Sequence, residues 1–120
     1  MNWYLTKIIF RIICGDGHHT PQFDEQLRLV WAGDDKEAFI KAQEIGKNES
    51  VSFYNHRQQM VEWKFVDVCE LYKITEMIDG AELYSRVQET NDAEEYIELV
   101  RKRANFIQNN PIAGFISLYQ

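Results

Sequence analysis

The chain has 120 residues, 45% of them hydrophobic and 13% aromatic, and a formal charge of −6. A chain of this length fits one domain, and that apolar content can build a core without metal or disulfide staples, which argues against disorder. The acidic balance suits nucleic acid poorly, because such affinity comes from Lys and Arg displacing counterions, so no nucleic-acid partner is expected.

Cys14 and Cys69 are too few for a disulfide framework. Met1-Asn2-Trp3-Tyr4 lacks the basic and apolar segments of a signal peptide. No apolar run approaches the ~20 residues needed to span a bilayer. The expected location is the cytoplasm, with no membrane partner.

Residues 3–14 are β-branched and aromatic, and apolar on both parities: Trp3, Leu5, Ile9 and Ile13 against Tyr4, Ile8, Phe10 and Ile12. That pattern predicts a central strand covered on both faces. Gly15, Asp16, Gly17, His18, His19 and Pro21 read as a loop. In residues 23–31, Phe23, Leu27, Leu29 and Trp31 face one way, and Asp24, Gln26 and Arg28 the other. Asp34 or Asp35 is placed to cap a helix with the apolar stripe Ala38, Phe39, Ala42 and Ile45, and Gly46 reads as its left-handed stop. Residues 50–56 form a short third strand, joined by the polar turn Arg57-Gln58-Gln59 to a long strand over residues 60–73.

There Val61, Trp63, Phe65, Cys69 and Leu71 alternate with Glu62, Lys64, Glu70 and Tyr72. Asp79-Gly80 is a turn signal, after which Ala81, Leu83, Ser85 and Val87 alternate with Glu82, Tyr84, Arg86 and Gln88, predicting a fifth strand hairpinned to the fourth. Asn91 with Glu94 three residues on is a capping-box variant opening a second helix with Ala93, Tyr96, Ile97, Val100, Ala104 and Ile107 on one stripe. Pro111 ends any continuation, and residues 109–120 form an apolar tail with Ile112, Phe115, Ile116, Leu118 and Tyr119. The order β-β-α-β-β-β-α predicts a single α+β domain, a mostly antiparallel sheet with both helices on one face. The other face is then open, or covered by the tail or a second subunit.

Trp3-Tyr4 with Lys7 and Phe10, the helix residues Lys36-Glu37-Ala38 and Lys41-Ala42, Trp63-Lys64-Phe65, Asp67-Val68-Cys69-Glu70-Leu71 and Asp79-Gly80-Ala81-Glu82-Leu83-Tyr84-Ser85-Arg86, in that order and spacing, look like the pattern of a small bacterial family known only as a domain of unknown function. The chain resembles that family over roughly residues 3–88, with Cys69 a departure where a bulkier residue is expected. The resemblance implies a small α+β domain and brings no activity or catalytic residue.

Strict alternation puts Asp67 on the face of Phe65, Cys69 and Leu71, where an unpaired carboxylate is costly. Buried there, it would have a raised pKa suited to proton transfer; the structural alternatives are a bulge that turns it outward or an ion pair with Arg11 or Arg86. The hairpin's polar parity carries Glu62, Glu70, Glu82, Tyr84 and Arg86, with Tyr84 opposite Glu70 and Arg86 opposite Val68. Two uses of this surface arise. One is a protein interface, expected as a homodimer or with a protein partner, formed by Val66, Val68, Tyr72, Tyr84 and Arg86 with Phe115 and Ile116 of the tail. The alternative is a small-ligand site or unrecognised enzyme built on Asp67, Glu70, Tyr84 and Arg86. An acidic immunity- or antitoxin-like protein that binds a basic partner is a further reading.

Cys14, His18 and His19, with His56 and Cys69 as distant ligands, lack the paired short spacing of a zinc site, so no metal or other cofactor is expected. Neither cysteine sits in a recognisable nucleophile context. Arg101, Lys102 and Arg103 follow Glu94, Glu95 and Glu98 on one helix, an order that reads as complementing the helix dipole.

Overall fold

The structure, a computed structural model, describes residues 1–110. Its elements are β1 (Asn2–Cys14), β2 (Gln22–Ala32), α1 (Asp35–Asn48), β3 (Val51–Tyr54), β4 (Met60–Ile74) and α2 (Ala93–Asn109). The strands form one antiparallel sheet in the order β2-β1-β4-β3. The fold class is therefore α+β, as the alternation of local periods predicts. The described residues fall into two compact units, Met1–Ser85 and one that opens at Arg86.

In the first unit, β1 lies between β2 and β4, and its even-numbered residues face α1. Ile8 and Phe10 there are essentially inaccessible to solvent. Val30 and Ala32 from β2 and Val68 from β4 complete the core beneath Ala38 and Ala42 of α1. The buried hydroxyl of Thr6 donates to the Arg28 carbonyl at 3.0 Å, so a polar atom enters the core already paired. Asp34 caps α1 by accepting from the Glu37 amide at 2.8 Å.

Gly46 does not stop α1. The helix runs to Asn48, with Gly46 buried inside it. A methyl group at this position would overlap the edge of the Phe65 ring and lie 3.1 Å from Ile8 Cγ2. The glycine thus permits close approach of helix and sheet, and the helix stripe against the core is Ala38, Ala42 and Gly46, with Ile45 partly buried beside it. Phe39 lies off that stripe and is exposed.

Residues 81–88 form no strand. The Asp79-Gly80 turn does form, with Gly80 at φ +82° and the Ala81 amide donating to the Ile78 carbonyl at 3.1 Å. The chain beyond it joins no ladder. β4 already has β1 along one edge and β3 along part of the other. Along the stretch that β3 leaves unpaired, β4 carries two register shifts against β1, which leave Val66 and Cys69 as bulge residues without a β1 partner and kink the strand. The described order is consequently β-β-α-β-β-α, one strand fewer than the alternation suggests.

The second unit contains α2. Its N-cap is Asp92, accepting from the Glu95 amide at 3.0 Å, one residue later than the Asn91–Glu94 pairing predicts. Phe115 and Ile116 lie outside the described residues.

Candidate interaction surface

The odd-numbered residues of β1 face away from α1, and pairing carries that face across the sheet. Trp3 lies opposite Trp31 and Ile74, Leu5 opposite Leu29 and Tyr72, and Lys7 opposite Leu27 and Glu70. Trp3, Phe23, Leu27, Leu29 and Trp31 remain between 38% and 60% exposed. The Trp3 and Trp31 rings pack at 4.9 Å, so one end of the surface is a fixed aromatic platform. The alternation in β2 marks four of these five residues, while the covered-strand reading of β1 hid Trp3.

A charged cluster interrupts this apolar row. Lys7 Nζ lies 2.8 Å from Glu25 and 3.2 Å from Glu70, and the Tyr72 hydroxyl donates to Glu70 Oε1 at 2.7 Å. The Tyr84 ring stands edge-on to Tyr72 at 5.4 Å. Hydrogen bonds to Glu25 and then to Glu70 hold the Lys7 ammonium far above its ordinary value, and the bond to Glu70 raises the Tyr72 hydroxyl. Lys7 therefore stays charged and Tyr72 neutral near pH 7, which makes both fixed hydrogen-bond donors.

Both groups have folded-state pKa values above the unfolded ones, about 10 for Tyr and 10.4 for Lys. Their stabilising contribution is complete below those values and is lost as pH rises through the folded-state range. The urea midpoint is expected to fall as pH rises above about 10, and to fall less in Tyr72→Phe. An equal fall in the variant would show that the Tyr72–Glu70 bond plays no part.

Asp67 is not a buried acid. The bulges at Val66 and Cys69 break strict parity, so Val68 turns into the core while Asp67 and Cys69 are exposed. Asp67 Oδ1 accepts from Gln43 Nε2 at 3.1 Å and from the Val68 amide at 2.8 Å. The Gln43 bond foremost, then the amide, holds its carboxyl below the ordinary value, opposite to the raised value that burial would produce. Its partners are thus neither Arg11 nor Arg86. The signal in the sequence is the spacing Phe65, Val68, Leu71, in which the core-facing apolar residue changes parity.

Of the four residues considered for a ligand site, Glu70 and Tyr84 come together, joined through Tyr72. Asp67 belongs to the α1 contact, and Arg86 opens the second unit. Of the hairpin residues considered for an interface, Val68 is buried against α1, Tyr72 faces the opposite side, and Val66 is an exposed bulge residue. Within the first unit the bulges thus put Val68 on the α1 side and leave Tyr72 with Tyr84 on the other.

The β1–β2 loop borders an open concavity of about 640 Å³ lined by Cys14, Asp16, His18, His19 and Gln59, among others. His19 Nε2 accepts from the Cys14 amide at 3.0 Å, and Nδ1 lies 2.9 Å from the Thr20 carbonyl. A neutral ring protonated at Nδ1 satisfies both bonds, so the ring's lone pair is already engaged by backbone. The Cys14 thiol contacts Gln59 and Asn55. Among the described residues no group of three His, Cys, Asp or Glu side chains is placed to hold a metal ion. Nor is any helix among them long and apolar enough to cross a membrane.

Residues 3–85 match the family model described as a domain of unknown function, DUF4288. The match ends where the first compact unit ends, at Ser85. No curated protein and no solved structure matches the chain.

Proposed function

The chain belongs to the DUF4288 family, and on that premise we propose that its matched region is a protein-interaction module that docks an apolar segment of a partner protein on the open sheet face. The observation that carries this reading is the exposure, side by side on one rigid sheet, of Trp3, Leu27, Leu29 and Trp31, with Phe23 at the far end. Fully burying such a side chain stabilises by about 1.5–3 kcal/mol, so five left about half exposed forgo roughly 4–7 kcal/mol. That is comparable with the roughly 5–15 kcal/mol net stability of a whole domain, and a partner covering the face recovers part of it. The Lys7–Glu25–Glu70 cluster supplies a polar feature that fixes orientation within an apolar surround.

Native mass spectrometry of the untagged protein, purified from the cells that make it, tests the reading. The expected result is a complex with another polypeptide that Leu27→Lys/Leu29→Lys abolishes while the fold, followed by circular dichroism, is kept. A complex insensitive to that substitution overturns the reading. So does a protein that carries a small molecule through mild activation and no polypeptide.

A further inference from the structure

Among the described residues, the second unit carries an exposed apolar surface of its own. α2 has no buried residue, and Tyr96, Ile97, Leu99, Val100, Phe106 and Ile107 are each 40–48% exposed. Ala93, Ile97, Val100, Ala104 and Ile107 follow one another at intervals of four, three, four and three residues. That is the spacing of a coiled-coil seam, in which the apolar positions meet a second helix at an average period of 3.5.

The charges on α2 indicate what the second helix is. Glu94, Glu95 and Glu98 occupy its first half, and Arg101, Lys102 and Arg103 its second. The helix dipole accounts for the acids, two of which lie in the first turn. It does not account for the bases, because the last turn holds none and the dipole's influence falls off within one turn. A parallel pair of these helices would set acids beside acids and bases beside bases, whereas an antiparallel pair sets each acidic half against the other's basic half.

We propose that α2 is a homodimerisation helix that packs antiparallel against α2 of a second copy of this chain. A two-fold axis between Glu98 and Leu99 places Ile97 opposite the partner's Val100 and Ala93 opposite the partner's Ala104. The alanine layers let the helices approach closely at both ends of the contact. Glu94 and Arg101 flank the seam on one side, and Tyr96 and Arg103 on the other. Across the antiparallel pair, Glu94 meets the partner's Arg101 and Tyr96 meets the partner's Arg103, an ion pair and a cation–π contact, each formed twice. Leu99 and Phe106 lie off the seam. At 1.5 Å per residue the helix is about 25 Å long, enough for this contact on a symmetric partner.

Sedimentation equilibrium on the full chain between 1 and 200 µM tests the proposal, with circular dichroism as the check on folding. The expected result is a monomer–dimer equilibrium that Ile97→Lys/Val100→Lys abolishes and Leu99→Lys leaves unchanged. Glu94→Arg sets like charges against each other and is expected to raise the dissociation constant at least tenfold. Glu94→Arg/Arg101→Glu, which keeps the charges complementary, is expected to restore dimerisation. If Ile97→Lys/Val100→Lys loses helix content, the charge pair decides alone. A monomer at 200 µM, a dimer insensitive to the seam substitutions, or a double reversal that fails to restore association overturns the proposal. Leu27→Lys/Leu29→Lys should leave this dimer intact, so the sheet-face and α2 assignments fail independently.

Discussion

Phe10→Ala is expected to destabilise the fold by about 3–5 kcal/mol, the cost of removing a fully buried aromatic side chain and leaving part of its cavity unfilled. Phe10 is 1% exposed on the central strand, facing α1, with the Phe65 ring edge-on at 6.2 Å. The groups around it cannot easily collapse into the space. Ala38 and Ala42 have no side-chain length to extend, and β1 is fixed in register by β2 on one side and β4 on the other. A loss of that size is about a fifth or more of the roughly 5–15 kcal/mol stability of a typical domain. Urea unfolding at pH 7 should therefore show a much lower midpoint with an unchanged slope. Leu27→Ala, on the open face, is the matched control and should change stability by no more than about 0.5 kcal/mol. A loss below about 1 kcal/mol for Phe10→Ala would mean that α1 does not cover this face as described.

Gly46→Ala is expected to destabilise by about 1–3 kcal/mol, the usual cost of overpacking a core. Helix propensity predicts the reverse, because Gly inside a helix is less favourable than Ala by about 1 kcal/mol. The contact decides the sign: the added methyl overlaps the Phe65 ring edge and crowds Ile8, on a helix packed directly against the sheet. Phe65 sits on β4 and Ile8 on β1, so neither can retreat without moving a paired strand or giving up the Phe10–Phe65 contact. Phe65→Leu in the Gly46→Ala background should recover part of the loss, giving a favourable coupling energy in a double-mutant cycle. Stabilisation by Gly46→Ala would show that the helix stands further from the sheet.

The two apolar surfaces suit different partners. The sheet face lies within the family-matched residues and combines an aromatic platform with a fixed charged cluster. The α2 seam lies beyond the matched segment, and the proposed dimer would set its acidic half against the basic half of a second copy. A module that dimerises through one unit and recruits a partner through the other would present two binding faces per dimer, raising avidity for a repetitive or dimeric partner.

Local patterns determined most of the secondary structure. Six elements follow from local composition and periodicity, because whether a stretch is β-branched throughout, alternates every two residues or repeats every 3.6 is settled by its own side chains. The Asp34 cap is equally local, since the carboxylate bonds an amide three residues ahead. Tertiary structure decided the rest. Alternation over residues 81–88 marks extended chain with two unlike sides, but a strand exists only where another offers a free, unbroken edge. Strict parity alone misplaces Asp67; the bulge alternative is the one that holds, and the bulges beside it arise from how β4 meets β1, not from its own neighbours. Gly46 reads as a stop signal in one dimension and becomes a close-packing residue only with Phe65 and Ile8 beneath it. The sequence by itself therefore determined which segments are helix and strand and that β2 has one apolar face, since these depend on residues a few positions apart. Only the tertiary structure decided which apolar face is covered and which left open, because burial depends on what packs from distant parts of the chain.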